Sequence, residues 1–216
     1  KEKTERWSNE YRRRLIQEEV AGLERTQDLG TMELMSIRIP NLVGSPLSIN
    51  ALREDLQVSH ATVSKWLTIL ERIYTIFRLA PFGSPYIRAV KKEQKHYHFD
   101  WNLVLEKGAR FENFTACHLL KWVQFQQDVY GKNIELRYFR DVDGREVDFI
   151  VTENETPKWA IECKWDDSPI GKGLKYLKER FPGCEMWQIS AVGTKDYISD
   201  KGIRVAPAIK FLKTLL

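Results

Sequence analysis

Three side chains in residues 145–165, REVDFIVTENETPKWAIECKW, are of types that work on phosphate esters: Asp148, Glu162 and Lys164. The stretch reads as two short strands joined by a polar turn near Glu153 to Pro157. Side chains alternate faces along a strand. Glu162 and Lys164 therefore point one way and Ile161 and Cys163 the other. On the preceding strand Glu146 and Asp148 share a face, opposite Val147 and Phe149. If the two strands pair through the turn, Asp148 lies beside Glu162. Two carboxylates and the main-chain carbonyl of Cys163 make a hard oxygen set suited to Mg²⁺ or Mn²⁺. Such an ion polarises a phosphate oxygen and lowers the pKa of a bound water. Lys164 could orient that water or neutralise charge in the transition state. Glu112, on a helix facing the sheet, could add a further carboxylate. An E-x-K triplet is also common on solvated sheet faces, and a relic of a former site would look the same.

These residues need a strand pair held against helices. ARFENFTACHLLKWVQFQQ predicts a long helix with Phe111, Phe114, Cys117/His118, Trp122 and Phe125 on one face. Strands follow at IELRYFR, EVDFIVT and KWAIECKW, then a helix at KGLKYLKERFP, a strand at EMWQISAV and a final short helix at APAIKFLKTLL. Helix, three strands, helix, strand is an α/β (α+β) arrangement with a small mixed sheet. Asp166 and Asp167 fall in a loop, and Glu146 reads as an exposed strand-end charge.

The N-terminal half has a different pattern. Trp7, Tyr11, Leu15, Ile16/Val20 and Leu23 recur at helical intervals, and Asp28 could cap a helix from Met32 to Ile39. Pro40, Gly44 and Pro46 then break the chain. Ser48 or Asn50 can cap a helix to about Leu56. Ser59 can cap a second, with Val63, Leu67 and Leu70 on one face. Strands near Tyr74 to Leu79 and at KHYHFD flank a polar segment. Helix, turn, helix, β-hairpin is the order of a winged helix-turn-helix. Ser59, His60, Thr62 and Lys65 open its second helix, where such a unit meets bases or phosphates. From Arg72 to Lys95 six basic residues, among them Arg88, Lys91 and Lys92, face a single acid, Glu93. That local charge suits a wing on DNA phosphates. A protein-docking unit and a solvated basic hairpin are the other readings. His96 and His98 have a zinc-compatible spacing but no further ligands, so they read as structural. The organisation expected is a helical lead-in over 1–46, a winged helix over 47–100 and an α/β domain over 101–216.

The chain of 216 residues is 43% hydrophobic and 30% charged, which fits a globular protein with a buried core. A net charge of +4 does not by itself indicate a nucleic-acid partner, so local charge decides. Three cysteines without a CxxC suit reduced thiols in a cytoplasmic protein. No apolar run approaches the roughly 18 residues of a membrane span, and the first residues show no signal-peptide pattern. A chain starting at Lys1 reads as part of a longer protein. Self-association is left open.

Glu112 on a first helix, then Asp148, then Glu162-Cys163-Lys164 resembles the PD-(D/E)XK nuclease-like fold shared by restriction endonucleases and Holliday-junction resolvases. The resemblance implies metal ligands at Asp148 and Glu162, a catalytic role for Lys164 and an auxiliary one for Glu112. The residue before Asp148 is Val147 rather than proline, a position that varies in that superfamily. With the winged helix, KHYHFDWNLVLEKGARFEN and REVDFIV…AIECKW, nearly the whole chain resembles the C-terminal region of a prokaryotic AAA-type ATPase family. That resemblance implies a restriction-endonuclease-like second domain, DNA as a partner and an ATPase domain upstream. No GxxxxGK[ST] occurs here, and GKG at Gly171 to Gly173 is not one, so no ATP site is expected in this chain.

Overall fold

The computed structural model describes residues 2–20, 26–83 and 94–216. The chain divides into two compact units, residues 1–78 with 93–110 and residues 79–92 with 111–216.

In the first unit α1 (Glu2–Leu15) runs into a π-helical turn at Ile16–Val20, and α2 covers Thr26–Arg38. Asp28 thus lies inside α2 and not ahead of a helix that begins at Met32. Its segment holds no proline, and a helix tolerates the lone Gly30 at a cost of about 1 kcal/mol. The turns that follow behave as their residues predict. The Ala51 N–H donates to Ser48 Oγ (3.3 Å) and starts α3 (Ile49–Leu56). The Thr62 N–H donates to Ser59 Oγ (3.0 Å) and starts α4 (His60–Arg72). Next, β1 (Ile76–Leu79) and β2 (Lys95–His98) form a two-stranded sheet, and Pro46 bridges to Lys95. Ile16, Met32, Met35 and Ile39 share one core with Leu52, Val63, Trp66 and Leu67. The lead-in and the helix-turn-helix segment therefore fold together.

The second unit carries most of α5 (Lys107–Tyr130), then β3 (Ile134–Arg140), β4 (Glu146–Glu153), β5 (Thr156–Lys164), α6 (Lys172–Arg180), β6 (Glu185–Ser190), β7 (Tyr197–Ile198), β8 (Ile203–Pro207) and α7 (Ala208–Leu212). Its six strands lie in the order β3-β4-β5-β6-β8-β7. The first three are antiparallel, β5, β6 and β8 run parallel, and β7 returns antiparallel to β8. The class is mixed α+β, as expected, but β7 and β8 add two strands to those read from sequence. Ala206 and Pro207, assigned above to the final helix, end β8 instead.

The α5 face also differs. Phe111, Thr115, Ala116, Leu119, Val123 and Gln126 are buried, whereas His118 and Phe125 are exposed and Phe114 and Trp122 half-buried. The aromatic stripe runs along a flank, where Trp122 meets Trp159 at 4.5 Å and Phe114 meets His118 at 4.5 Å. Small and polar residues fill the close approach to the sheet, and a pattern weighted to large rings misses them.

The histidine pair is structural. His96 and His98 are both fully buried, and the His96 Nε2–H donates to the Ile39 carbonyl at 2.8 Å. Burial holds the His96 imidazole down at about 4, against an ordinary 6.5, with the Ile39 bond acting the other way. The unfolded chain takes up this proton near pH 6.5 and the folded chain only near pH 4. Stability therefore falls as pH drops through that window, by on the order of 3 kcal/mol from this group, and levels off below it. Thermal unfolding between pH 7 and pH 4 should show this loss, and His96→Gln should flatten the slope; an unchanged slope in the variant refutes the assignment.

Candidate active site

The candidate site is made by a defect in strand pairing. Along the β3–β4 ladder Arg137 faces Ile150 and Phe139 faces Val147, so two steps on β3 match three on β4. The extra residue is a β-bulge at Asp148–Phe149, a device that re-aims a side chain. Val147 and Ile150 consequently enter the same core, with Ala160, Leu174 and Leu177. The alternation expected from sequence, with Val147 and Phe149 on one face and Asp148 on the other, fails at this point.

The β4–β5 hairpin turns at Asn154 (φ 50°) and Glu155 (φ 64°), both left-handed as a tight two-residue turn requires. Its ladder runs from Glu153 and Thr156 to Phe149 and Ile161. Beyond that pair β4 continues against β3, while Glu162, Cys163 and Lys164 pair with Gln188, Ile189 and Ser190 of β6. The hairpin forks. In a ladder with parallel strands, alternate residues give both main-chain groups to the same neighbour. The Ala191 N–H donates to the Lys164 carbonyl (3.0 Å), so Glu162 and Lys164 bond toward β6 and Cys163 turns its N–H and C=O toward β4. Asp148 Oδ2 accepts that Cys163 N–H at 2.8 Å.

Charge gathers at this fork. Lys164 Nζ donates to Glu162 Oε1 at 2.8 Å. Burial opposes the charge on Lys164, but Glu162 and Asp148 outweigh it and hold its pKa above the ordinary lysine value. Lys164 is therefore an ammonium at neutral pH and not a base. The half-buried Cys163 thiol is pushed well up, first by loss of solvent and then by the charges of Asp148, Glu112 and Glu162, against a hydrogen bond with Thr115. One sulfur thus senses all three carboxylates named from sequence. Asp148, Glu162 and the Cys163 carbonyl form a donor set whose chemistry fits Mg²⁺ or Mn²⁺. Among the described residues no three or more His, Cys, Asp and Glu side chains are grouped to share an ion. An ion at the fork would need further oxygens from water or phosphate.

Residues that the sequence did not single out complete the surroundings. Gln188, 2% exposed and in register with Glu162, accepts the Gly171 N–H (3.0 Å) and donates to the Ser168 carbonyl (2.9 Å). It ties the β5–α6 connection down beside Glu162. An amide amid the apolar residues of EMWQIS was the available signal. The GKG triplet gains a reason as well. A Cβ at Gly171 would lie 2.9 Å from Glu162 Oε1, and one at Gly173 only 2.0 Å from the Glu146 carbonyl oxygen. Both glycines serve close approach and not phosphate binding. Asp167 accepts the N–H groups of Thr194 (3.0 Å) and Lys195 (3.1 Å) and fixes the loop after β6. Glu146 is half-buried and reaches Arg140 at 3.7 Å.

On α4, Ser59 is engaged in capping, with Thr62 Oγ1 at 2.8 Å from its Oγ. His60 and Lys65 are exposed, and Thr62 is half-buried. A groove of ≈440 Å³ beside them is lined by Ser64, Lys65, Thr68, Ile69 and Arg72. Arg88, Lys91 and Lys92 lie outside the described residues.

Residues 1–106 match the family model of a domain of unknown function, DUF8612. Residues 107–208, from the first residue of α5, match that of another domain of unknown function, DUF4143, which is found in C-terminal regions associated with AAA-type ATPases. No curated protein and no solved structure matches the chain. Among the described residues no helix is long and apolar enough to cross a membrane.

The shared field on Cys163 can be read chemically. Neutralising a carboxylate beside a thiol lowers its pKa and raises its thiolate fraction. Asp148→Asn should speed alkylation of Cys163 at pH 8.5 severalfold, and Glu112→Gln should do so to a smaller degree. Peptide mass spectrometry reads both, and rates equal to wild type in both variants contradict the convergence.

Proposed function

We propose that this chain is a DNA-binding, nuclease-like module from the C-terminal region of an AAA-type ATPase, with a metal-dependent phosphodiester-cleaving site at the β4–β5 fork. The observation that carries the reading is the fork itself. It brings Asp148, Glu162, Lys164 and the inward-facing Cys163 main chain to one end of a bulged hairpin. The DUF4143 match supports the ATPase context.

In this reading Asp148, Glu162 and the Cys163 carbonyl would hold Mg²⁺ or Mn²⁺. Bound there, the ion would supply Lewis acidity to a phosphate oxygen and to an attacking water. Asp148 keeps one oxygen on the Cys163 amide and so fixes the angle at which it meets the site. Lys164, held charged by Glu162, stabilises negative charge on the phosphate in the transition state. Its charged state favours that role over water activation. Glu112 adds negative potential from α5 and positions the metal or the water. The helix-turn-helix and strand pair are read as a winged helix that brings DNA to the chain through His60 and Lys65 of α4, with Ser59 and Thr62 framing the helix start. ATP hydrolysis is assigned in this reading to an ATPase domain and not to this chain, which is read as cytoplasmic.

A second reading has its own support. Glu162 is already paired by Lys164, Asp148 already serves the Cys163 amide, and no three-group metal cluster occurs among the described residues. A non-catalytic DNA-binding regulator or interaction module built on a degenerate nuclease fold would carry these features.

Plasmid and oligonucleotide cleavage in Mg²⁺ or Mn²⁺ separates the two. The nuclease reading predicts cleavage that falls about 100-fold or more in Asp148→Ala and in Lys164→Ala while both variants stay folded, with unfolding temperatures lowered by the lost amide acceptor and the lost ion pair respectively. Cleavage at the wild-type rate in both variants excludes the fork. Salt-sensitive DNA binding without cleavage by the wild-type chain selects the regulator.

A further inference from the structure

A cavity of ≈470 Å³ lies within the first unit, between α1, the end of α4 and the segment after β2. Trp7 and Tyr11 of α1 stack at 5.2 Å and 7° from parallel on one wall, and Tyr74 meets Phe99 edge-on at 5.8 Å on another. The polar lining includes Thr75, Asp100 and Asn102. This volume and mix of rings with a few polar groups suit a small-molecule site.

Tyr74 is costly where it stands. It follows the end of α4 with φ +53°, its N–H donates to the Glu71 carbonyl (3.1 Å), and the next N–H, of Thr75, donates to Leu70 (2.9 Å). Glycine is the residue that such a left-handed helix terminus prefers, and a tyrosine there is strained. The side chain is 73% exposed, so burial does not offset that cost. Trp7 is 61% exposed as well. Two large rings therefore stand open on the same cavity. Asp100 Oδ1 accepts both the main-chain N–H and the side-chain amide of Asn102, each at 3.2 Å, which leaves Oδ2 for another donor.

We propose that this cavity binds a nucleobase bearing an exocyclic amino group. The ring stacks against the aromatic walls, as bases stack on aromatic side chains in single-strand binding proteins. The amino group donates to Asp100. A carboxylate repels phosphate, so the base edge and not the phosphate enters. The site belongs to the first unit and does not depend on cleavage at the fork.

Calorimetric titration of the full chain with deoxyadenosine, thymidine and single-stranded dA and dT hexamers tests it. Adenine ligands should bind about fivefold or more tightly than their thymine counterparts, the worth of one hydrogen bond. Tyr74→Gly relieves the backbone, so it should keep or raise the unfolding temperature while weakening adenine binding about fivefold or more. Trp7→Ala should weaken binding likewise. Deoxyadenosine bound as tightly as the dA hexamer assigns the site to free nucleosides or nucleotides. A tighter hexamer whose advantage is lost in Tyr74→Gly assigns it to single strands. Equal adenine and thymine binding, adenine binding unchanged in both variants, or no binding at millimolar ligand overturns the proposal.

Discussion

A main-chain amide that leaves its ladder must find another acceptor or bear the cost of burial unpaired, about 1–3 kcal/mol. Where β4 and β5 part, the amide of Cys163 is in that position, and Asp148 Oδ2 receives it at 2.8 Å. This bond lets the hairpin open without an orphaned donor. The bulge that precedes it turns Asp148 to the task, while β3 and β6 keep the outer edges of both strands paired. A fully paired hairpin would be more regular but would leave no inward carbonyl and no gap for a ligand.

Opening the hairpin concentrates negative charge, and the charge in turn constrains the chain. Glu162 is 8% exposed and rests against Gly171, where a methyl group would push its carboxylate aside. Its ion pair with Lys164 makes that burial tolerable, because removing one partner of a buried pair leaves the other uncompensated. Gln188 and Asp167 hold the adjoining loops by main-chain contacts, which fixes the shape of the fork.

Much of this was legible in the residues. Ser48 and Ser59 cap the helices they announce, and the order of strands around Glu162 follows the apolar runs. The types and spacing of Asp148, Glu162 and Lys164 pointed to one end of one hairpin, and their influence on Lys164 and Cys163 is consistent with that. The bulge was not legible, because no glycine or proline marks it and it arises from the ladder with β3. The α5 core face was misread because Thr115 and Gln126 occupy it while larger rings line the flank. Strand β8 was missed because five residues ending in proline carry little pattern. Gln188 was overlooked because its role comes from register with Glu162, a long-range pairing that sequence spacing does not encode.

Calorimetric titration with Mn²⁺, wild type beside Asp148→Ala, asks most directly whether the fork is a metal site. The account predicts binding by the wild-type chain that weakens about tenfold or more in the variant. Equal affinity in both proteins, or no binding by either at millimolar metal, would contradict it.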